Sequence, residues 1–344
     1  MDTVTATAPP FQPGLSVSLE TGDPARLAHG VPGGWELEYV QLGQGRFHGH
    51  LMAGQTARMQ FLTQDWSTGV LVRGNAPPNI SILVVPLDHN GPSFVRGLAL
   101  NENEVGLVRP GRELDFRTLE AERVFMFAMA DELLEQHAMA VLEQPLTSLS
   151  RGSRLRTRGG PVAMREWFGQ LNLAALCREP ERLADPVVAA WIENRVLDSL
   201  LGQLAIHDRP SHVRGGVKLA RQADTYLRSN LQAPLTIRDL CTAMGVPERT
   251  LFKAMRTHLG LSPKALLKTL RLNAVRRELL AAVAGTGVMD VAMRWGFFHA
   301  GWFSQDYRQQ FGETPSTTLR NTSPDSGPDS TYGPFALISC SRAE

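Results

Sequence analysis

The sequence has little cysteine and no long apolar run. Its 344 residues include only 3 cysteines, and the wide separation of Cys177, Cys241 and Cys340 excludes a disulfide framework and a C-x-x-C metal site. No stretch reaches the roughly 18 apolar residues of a membrane-spanning helix. The opening residues, MDTVTATAPPFQPG, lack the basic and apolar regions of a secretory signal peptide. We therefore expect a globular protein of the reducing cytoplasm with no membrane partner.

The net charge of +1 conceals two regions of opposite sign. Residues 216–320 carry 15 Lys and Arg against 7 Asp and Glu, a surplus of 8 positive charges. The rest of the chain carries 20 basic and 27 acidic residues, an excess of 7 negative charges. The length fits two domains of about 100 to 200 residues each. A basic unit beside an acidic one is typical of a nucleic-acid-binding module joined to another domain.

The acidic region begins with a β-rich pattern. From Trp35 to about residue 130, short runs such as WELEYVQL, GVLVRG and ISILVVPL alternate with Gly, Pro and Asn turns, which predicts an antiparallel sandwich or small barrel. Helical spacing follows. Within residues 185–205, an apolar stripe contains Val188, Trp191, Ile192 and Leu200. This stripe either packs on the β domain or pairs with a second copy of the chain.

The basic region contains an internal repeat. DLCTAMGVPERTLFKAMRTHLGLSP begins at Asp239, and DVAMRWGFFHAGWFSQDYRQQFGETP begins at Asp290. Each copy predicts a helix, a glycine-centred turn and a second helix. In the first copy, Thr236 and Asp239 have the spacing of a capping box, while Gly245 and Gly260 should end the two helices. In the second copy, we expect a core formed by Trp295, Phe297, Phe303, Tyr307 and Phe311, because so short a helix pair needs large apolar side chains.

The second helix of each copy has an outward polar face. With Leu251 and Met255 inward, the outward residues of the first copy are Arg249, Phe252, Lys253 and Arg256. The equivalent residues of the second copy are Gly301, Ser304, Gln305 and Arg308. An α-helix fits the major groove of DNA, where Arg, Lys, Gln and Ser bond base edges or phosphates. The alternative is a pair of helical hairpins with solvated faces, which the in-register repeat and the basic surplus disfavour.

Residues 217–320 resemble the AraC/XylS family of bacterial transcription regulators. The second copy is similar to the family signature G-F-x-x-x-x-x-F-x-x-x-[FY]-[KR]-x-x-[FY]-G-x-x-P, which it satisfies from Gly296 to Pro315. The resemblance implies seven helices, with a rigid connecting helix from about Pro263 to Leu280 and two helices that enter major grooves about 10 bp apart. Family positions that contact bases correspond here to Glu248, Arg249, Phe252, Lys253, Ala300, Gly301, Trp302, Ser304 and Gln305.

The same resemblance implies partners and a sensor. It predicts a cytoplasmic activator whose partners are promoter DNA, a small-molecule effector, RNA polymerase and a second copy in a homodimer, with no cofactor. The N-terminal region is similar to the family's cupin-type sensor domain around GQGRFHGHL. Its G-x-F-H-G element and the segment RLNAVRREL are similar to those of the ethanolamine-utilisation type of regulator within the family.

Two histidines of this region are candidates for the effector site. On a strand, His48 and His50 would point to one face. A metal-binding cupin would need a carboxylate soon after them and another histidine later, but LMAGQTARMQ has no carboxylate and only His89 is a distant third ligand. We therefore predict no metal and no catalytic residue. The alternative function is a metal-dependent cupin oxygenase with an accessory helical domain.

The predicted fold is α+β, with a cupin-like β-barrel or sandwich, following helices, and a C-terminal all-α domain of two helix-turn-helix units. The predicted division comprises a flexible N-terminus at 1–30, a β sensor domain at 31–135, a helical dimerisation or relay segment at 136–208, a linker at 209–216, the DNA-binding domain at 217–320 and a disordered tail at 321–344.

Overall fold

The computed structural model describes residues 10–88, 90–146, 153–157, 173–204, 215–283 and 285–321. Twelve strands of these residues form a seven-stranded and a five-stranded sheet. Their bounds are β1 Ser16–Thr21, β2 Glu36–Gln41, β3 Gly49–Gln55, β4 Met59–Trp66, β5 Val70–Asn75, β6 Ile80–Pro86, β7 Ser93–Val95, β8 Leu98–Leu100, β9 Glu104–Val108, β10 Leu114–Thr118, β11 Glu122–Ala130 and β12 Arg154–Arg156.

The two sheets form an antiparallel sandwich. The strand order is β1-β3-β4-β11-β6-β9-β12 in the larger sheet and β2-β5-β10-β7-β8 in the smaller. Because side chains alternate along a strand, β4 serves two cores. Leu62 and Trp66 lie between the sheets, whereas Met59 and Phe61 face helices on the other side. Both faces of the larger sheet are therefore buried at this central strand.

Part of the predicted flexible N-terminus is ordered, so that prediction is wrong for residues 16–30. Strand β1 pairs with β3 from Ser16 to Thr21, and helix α1, Pro24–Gly30, begins at Asp23, whose side chain accepts a hydrogen bond from Ala25 N. Leu27 is fully buried in the core of the sandwich. Pro, Gly and Ser enrichment suggested disorder, but one buried leucine and a sheet edge that pairs with β1 outweigh that composition.

Four helices follow the sandwich in the described residues. They are α2 Asp131–Leu142, α3 Leu173–Arg178, α4 Pro180–Ala184 and α5 Pro186–Gly202. Ile192 and Leu200 of α5 are buried against the larger sheet, with Val188 packed beside them. Trp191 is not part of this contact and is 65% exposed, because it lies about 100° around the helix from Ile192. The stripe therefore packs on the β domain, as one of its two predicted alternatives required, but without Trp191.

The C-terminal region is helical throughout. Within residues 215–283 and 285–321, the seven helices are α6 Gly215–Ser229, α7 Ile237–Met244, α8 Glu248–Leu259, α9 Pro263–Leu280, α10 Val288–Arg294, α11 Ala300–Phe311 and α12 Pro315–Arg320. Most of the predicted linker, and the tail beyond residue 321, lie outside the described residues, as do 147–152, 158–172 and 205–208 of the predicted helical segment.

The C-terminal helices pack on the outer face of the smaller sheet. Val40 and Leu71 of this sheet share a core with Leu227 of α6, Leu251 of α8 and Leu270 of α9. The sandwich thus carries helices on both outer faces. The predicted α+β fold, with an N-terminal sandwich, following helices and a C-terminal helix-turn-helix domain, is confirmed. No helix of the described residues has the length and apolar character needed to cross a membrane.

Candidate nucleic-acid interface

Helices α7 and α8 form the first helix-turn-helix unit. The Thr236 hydroxyl accepts a hydrogen bond from Asp239 N at 3.2 Å, and Asp239 Oδ2 accepts one from Thr236 N at 2.9 Å, which completes the predicted capping box. The hydrogen bond from the Thr236 side chain lowers the pKa of Asp239. Gly245 ends α7 with φ 63° and Gly260 ends α8 with φ 75°, a left-handed conformation that glycine adopts without a Cβ clash.

Helices α10 and α11 form the second unit around Gly296, which has φ 83°. A Cβ at this position would stand 3.0 Å from Nη1 of Arg271. That guanidinium is fixed, because it donates to Leu231 O at 2.8 Å and to Ala233 O at 2.6 Å. A glycine is therefore required both by the turn and by the close approach of α9.

Three aromatic side chains fill the core of the second unit. Phe303, Tyr307 and Phe311 are buried, and their ring centroids are 5.7 Å and 4.7 Å apart in sequence order. The Tyr307 hydroxyl donates to Thr318 Oγ1 at 2.9 Å, and burial raises its pKa to about 12. Phe297 packs against this core but is only half-buried.

Trp295 lies at the rim of that core instead of inside it. It is half-buried, and its Nε1 donates to Glu278 Oε2 at 2.7 Å. Burial opposes ionisation of Glu278, but hydrogen bonds from Arg294 and Trp295 outweigh it and lower the pKa of the carboxyl. The indole therefore fastens α10 to α9 through a charge-assisted hydrogen bond, a role that the aromatic pattern alone did not indicate.

Helix α9 connects the two units, as the sequence predicts. Arg271 contacts the segment between α6 and α7, and two ion pairs besides that of Glu278 join α9 to α11 and to the segment after it. Lys268 Nζ lies 2.8 Å from Asp306 Oδ1, and Arg276 Nη1 lies 2.5 Å from Glu313 Oε1. These ion pairs hold α11 on α9. Leu251 of α8 shares a buried core with Leu266 and Leu270 of α9, so the orientation of each unit depends on α9.

The predicted contact residues lie on the outward faces of α8 and α11. In α8, Phe252 is half-buried, whereas the exposed residues are Glu248, Arg249, Lys253 and Arg256. In α11, the exposed residues are Ala300, Gly301, Trp302, Ser304, Gln305 and Arg308. The side chains of Ser304, Gln305 and Arg308 line one side of an open groove. The exposed fraction reaches 75% for Trp302.

Phe298 is an exposed aromatic residue that sequence reasoning missed. It precedes α11 and is 72% exposed. Its spacing of four residues from Trp302 was the available signal, since exposed large apolar side chains that cluster indicate an interaction surface. The exposed surface of the second unit thus includes the aromatic residues Phe298 and Trp302 as well as the cation Arg308.

The two histidine candidates lie outside the sandwich core. His48 is exposed, with Nε2 3.0 Å from Glu20 Oε1, and the half-buried His50 has Nδ1 3.4 Å from Asp65 Oδ2. His50 alternates along β3 with Leu51, which points into the core, so both histidines lie at the surface, and their role as effector ligands stays a prediction. The described residues hold no group of three His, Cys, Asp or Glu side chains suited to a metal ion, and His89 lies outside them.

The interior of the sandwich carries polar pairs instead. Tyr39 donates its hydroxyl hydrogen to Gln64 Oε1 at 2.9 Å, and both residues are buried. Burial raises the pKa of Tyr39 well above its ordinary value. Trp35 Nε1 donates to Gln60 Oε1 at 2.8 Å. Gln60 and Gln64 alternate with outward residues of β4, so an alternation reading of that strand would have identified them.

The sandwich and the C-terminal helices are joined by buried polar contacts. Asp224 of α6 is fully buried and pairs with Arg73 of β5, while its Oδ2 lies 3.5 Å from Arg117 Nη2. Asp115 lies in the same cluster, where burial opposes its ionisation but Arg117 and Arg73 lower its pKa strongly. Gln310 of α11 donates to Gly43 O at 2.9 Å. The two regions therefore form one packed unit.

Comparison with known proteins assigns the helical region. A family model described as a helix-turn-helix domain matches residues 240–321. A probable AraC family transcriptional regulator from Rhodopseudomonas palustris is 36% identical, and the match covers 31% of this chain and 99% of that one, with a TM-score of 0.30. Residues 240–321 are thus a helix-turn-helix domain, and this region is similar to AraC-family transcriptional regulators.

Two curated relatives extend the AraC/XylS match beyond the helical region. The probable thc operon regulatory protein of Rhodococcus erythropolis is 34% identical over 168 residues, which are 46% of this chain and 50% of that protein. The XylDLEGF operon transcriptional activator 3 of Pseudomonas putida is 26% identical over 220 residues, 63% of this chain and 65% of that protein. The chain thus spans between half and two thirds of the length of these relatives.

Proposed function

We propose that this chain is a sequence-specific DNA-binding activator of transcription of the AraC/XylS family. The observation that carries the proposal is the exposure of both outward faces, on α8 and α11, from two units packed on one connecting helix. A recognition helix presents such a face to the major groove, and two units would enter grooves about one helical turn of DNA apart. The names of the two curated relatives, a regulatory protein and an activator, support the same activity.

The two units would read DNA by different means. In the first, Arg249 and Lys253 are exposed cations, and arginine is the side chain that most often bonds guanine in the major groove. In the second, Gly301 has nothing within 4 Å of a Cβ placed on it, and Trp302 offers mainly apolar surface. We expect this unit to contribute through Gln305, through apolar contact with thymine methyl groups and through DNA shape.

The N-terminal sandwich would sense a small-molecule effector. Support comes from the polar interior, where Tyr39–Gln64 and Trp35–Gln60 supply hydrogen-bonding groups among apolar side chains, the composition typical of a ligand site. Because the G-x-F-H-G element resembles that of ethanolamine-utilisation regulators, ethanolamine is the first effector to test. Binding would act on transcription only if the effector distinguishes two arrangements of the sandwich and the helices.

The helices on the larger sheet would mediate dimerisation. Val187 and Trp191 of α5 are 79% and 65% exposed, one helical turn apart, and a second copy of the chain would cover them. RNA polymerase is the further partner that activation requires. We retain the division into a sensor at 31–135, a helical segment at 136–208 and a DNA-binding domain at 217–320 as a proposal, with the sensor extended to residue 16.

The oxygenase alternative is withdrawn. The similarity of the chain to transcription regulators favours a regulator over an enzyme. His48 and His50, on which a metal site would depend, face carboxylates on the outer side of the larger sheet.

Binding-site selection with the full chain tests the proposed function. Rounds of capture from a random-sequence duplex library should enrich one bipartite sequence whose two halves are about 10 bp apart. A reporter with that sequence upstream should then be activated in cells. Enrichment of no sequence above the input library would refute sequence-specific binding.

A further inference from the structure

A loop of the sandwich borders the outward face of α11. In the β2–β3 loop, residues 42–48, Gly45 N donates to Gln309 O at 3.1 Å. The side chains of Gln44 and Gln309 are joined by a hydrogen bond of 3.1 Å. Gln309 follows Gln305 by one helical turn on the same face of α11. The loop therefore lies next to the surface that we propose meets DNA.

Arg46 is the cation of this loop. Its side chain is exposed, and its backbone N lies 2.9 Å from the position of a Cβ placed on Gly312, at the end of α11. None of the ion pairs in the described part of the chain involves its guanidinium. The acids nearest in sequence to the end of α11, Asp306 and Glu313, already have partners on α9. Arg46 is therefore available to an external anion.

The loop is held rigidly. Every backbone carbonyl from Gly43 to Arg46 accepts a side-chain hydrogen bond. The donors are Gln41 Nε2 to Gly43 O and Gly45 O, Gln310 Nε2 to Gly43 O, Thr68 Oγ1 to Gln44 O, and Ser67 Oγ to Arg46 O. A loop fixed in this way loses little conformational entropy when it binds, which is the property expected of a preformed contact surface.

The geometry of a recognition helix places this end of α11 at the DNA backbone. Twelve residues give α11 a length of about 18 Å, whereas the major groove is about 12 Å wide. The last turn of a helix that crosses the groove therefore lies beside the phosphates at its edge. A cation at that place also interacts favourably with the partial negative charge at the C-terminal end of α11.

We propose that Arg46 binds a backbone phosphate, so that the N-terminal sandwich forms part of the DNA interface. The inference rests on the proposed function, since it requires α11 to enter the groove. Phosphate contacts add affinity without base selectivity. DNA binding would consequently depend on the docking of the sandwich against α11, and any effector that changes this docking would change the affinity for DNA.

Salt dependence of binding by the full chain tests the proposal. The probes are the duplex enriched by selection and a duplex of shuffled sequence, each titrated over a series of KCl concentrations. Loss of one phosphate contact should reduce the slope of log K against log[KCl] by about 0.9 in Arg46→Gln, with the same fold loss of affinity on both duplexes. Arg46→Lys should retain the original slope because it keeps the point charge.

Arg123→Gln is the matched control. Arg123 is exposed on the same side of β11 as Phe125, which faces the helices on the larger sheet, away from α11, so its slope should equal that of the parent chain. Two results would overturn the inference if the parent chain binds specifically. One is an unchanged slope of log K against log[KCl] in Arg46→Gln, and the other is a loss of affinity confined to the selected duplex. A parent chain that selects no duplex would instead refute the proposed function itself.

Discussion

Asn273 pairs with both backbone groups of Gln41, a residue 232 positions earlier in the chain. Asn273 Oδ1 accepts from Gln41 N at 3.2 Å, and Asn273 Nδ2 donates to Gln41 O at 3.0 Å. Strand β2 lies at the edge of the smaller sheet, so one side of it has no neighbouring strand. The side-chain amide of Asn273 in the connecting helix supplies hydrogen bonds on that side in place of a strand. The contact joins the middle of α9 to the sandwich. Because both helix-turn-helix units pack on α9, a shift of α9 against the sandwich would move both units.

Asn273→Ala should therefore destabilise the docked chain. The substitution leaves the buried N–H of Gln41 without its acceptor, and an unsatisfied buried donor costs about 1 to 3 kcal/mol. Urea denaturation of the full chain measures the loss. Asn75→Ala, at an exposed position of β5, is the control and should change the free energy of unfolding by less than about 0.5 kcal/mol. An equal free energy of unfolding for Asn273→Ala and the parent chain would mean that the hydrogen bonds between Asn273 and Gln41 do not stabilise the protein.

Asp224→Asn should have a larger effect. Asp224 is fully buried, pairs with Arg73 and has Oδ1 3.3 Å from Arg228 Nε. Removal of one charge from a buried ion pair usually costs about 3 to 5 kcal/mol, because the partner charge stays buried. The same urea experiment applies. Asp198→Asn, at an exposed position of α5, provides the control, and a cost below about 1 kcal/mol for Asp224→Asn would mean that the arginines find other partners.

Low pH should lower the free energy of unfolding of the chain through protonation of Asp115. The pKa of this carboxyl is lowered in the folded state by Arg117 and Arg73, despite its burial. A lowered folded pKa contributes stability that is complete above the unfolded value of about 3.9 and is lost as the pH falls below it. Urea midpoints measured between neutral pH and strong acid should show this loss. Asp115→Asn should be less stable at neutral pH and should show a shallower fall in acid.

Local signals in the helical region predicted much of its structure. The capping box of Thr236 and the glycines at 245 and 260 follow from short-range chemistry that the neighbouring residues decide, whereas the bounds of α9 were implied by the family resemblance. The sandwich strands were also readable, because alternation and turn residues mark them. The signals at residues 16–30 were misread, since β1 pairs with a strand 28 to 38 positions later in the chain, Thr21 with Gly49 and Ser16 with Gly54.

Long-range contacts explain the other differences. Trp295 belongs to an aromatic pattern that favours a core position, but Glu278 draws its indole to the rim. Nothing in the local sequence indicates that Gln41 pairs with Asn273. The pairing of Asp224 with Arg73 has no local signal either. Such polar contacts between distant segments have no periodicity, so they become visible only in the structure.

The second unit should tolerate Trp295→Phe better than Phe303→Ala. Phe303 is 1% exposed, packed between Phe297 and Tyr307, and Phe303→Ala should cost about 3 to 5 kcal/mol through the cavity it leaves. Trp295→Phe keeps most of the apolar contact and removes the hydrogen bond to Glu278. A hydrogen bond to a charged acceptor is worth about 1.5 to 3 kcal/mol, and the partial exposure of this one reduces its contribution. Thermal unfolding measures the loss of stability in both variants. A larger loss for Trp295→Phe than for Phe303→Ala would contradict the prediction.

Arg249→Ala should weaken binding to the selected duplex by about 1 to 3 kcal/mol and relax selectivity at one base position, if its guanidinium bonds a base edge in the proposed complex. Competition titrations with duplexes that vary one base pair at a time give the selectivity, and Arg123→Ala is the control, since it lies on the far side of the sandwich. Equal losses on the selected and shuffled duplexes would make Arg249 a phosphate contact. In that case base selection by the first unit would pass to Glu248 and Lys253, its other exposed residues at the start of the outward face.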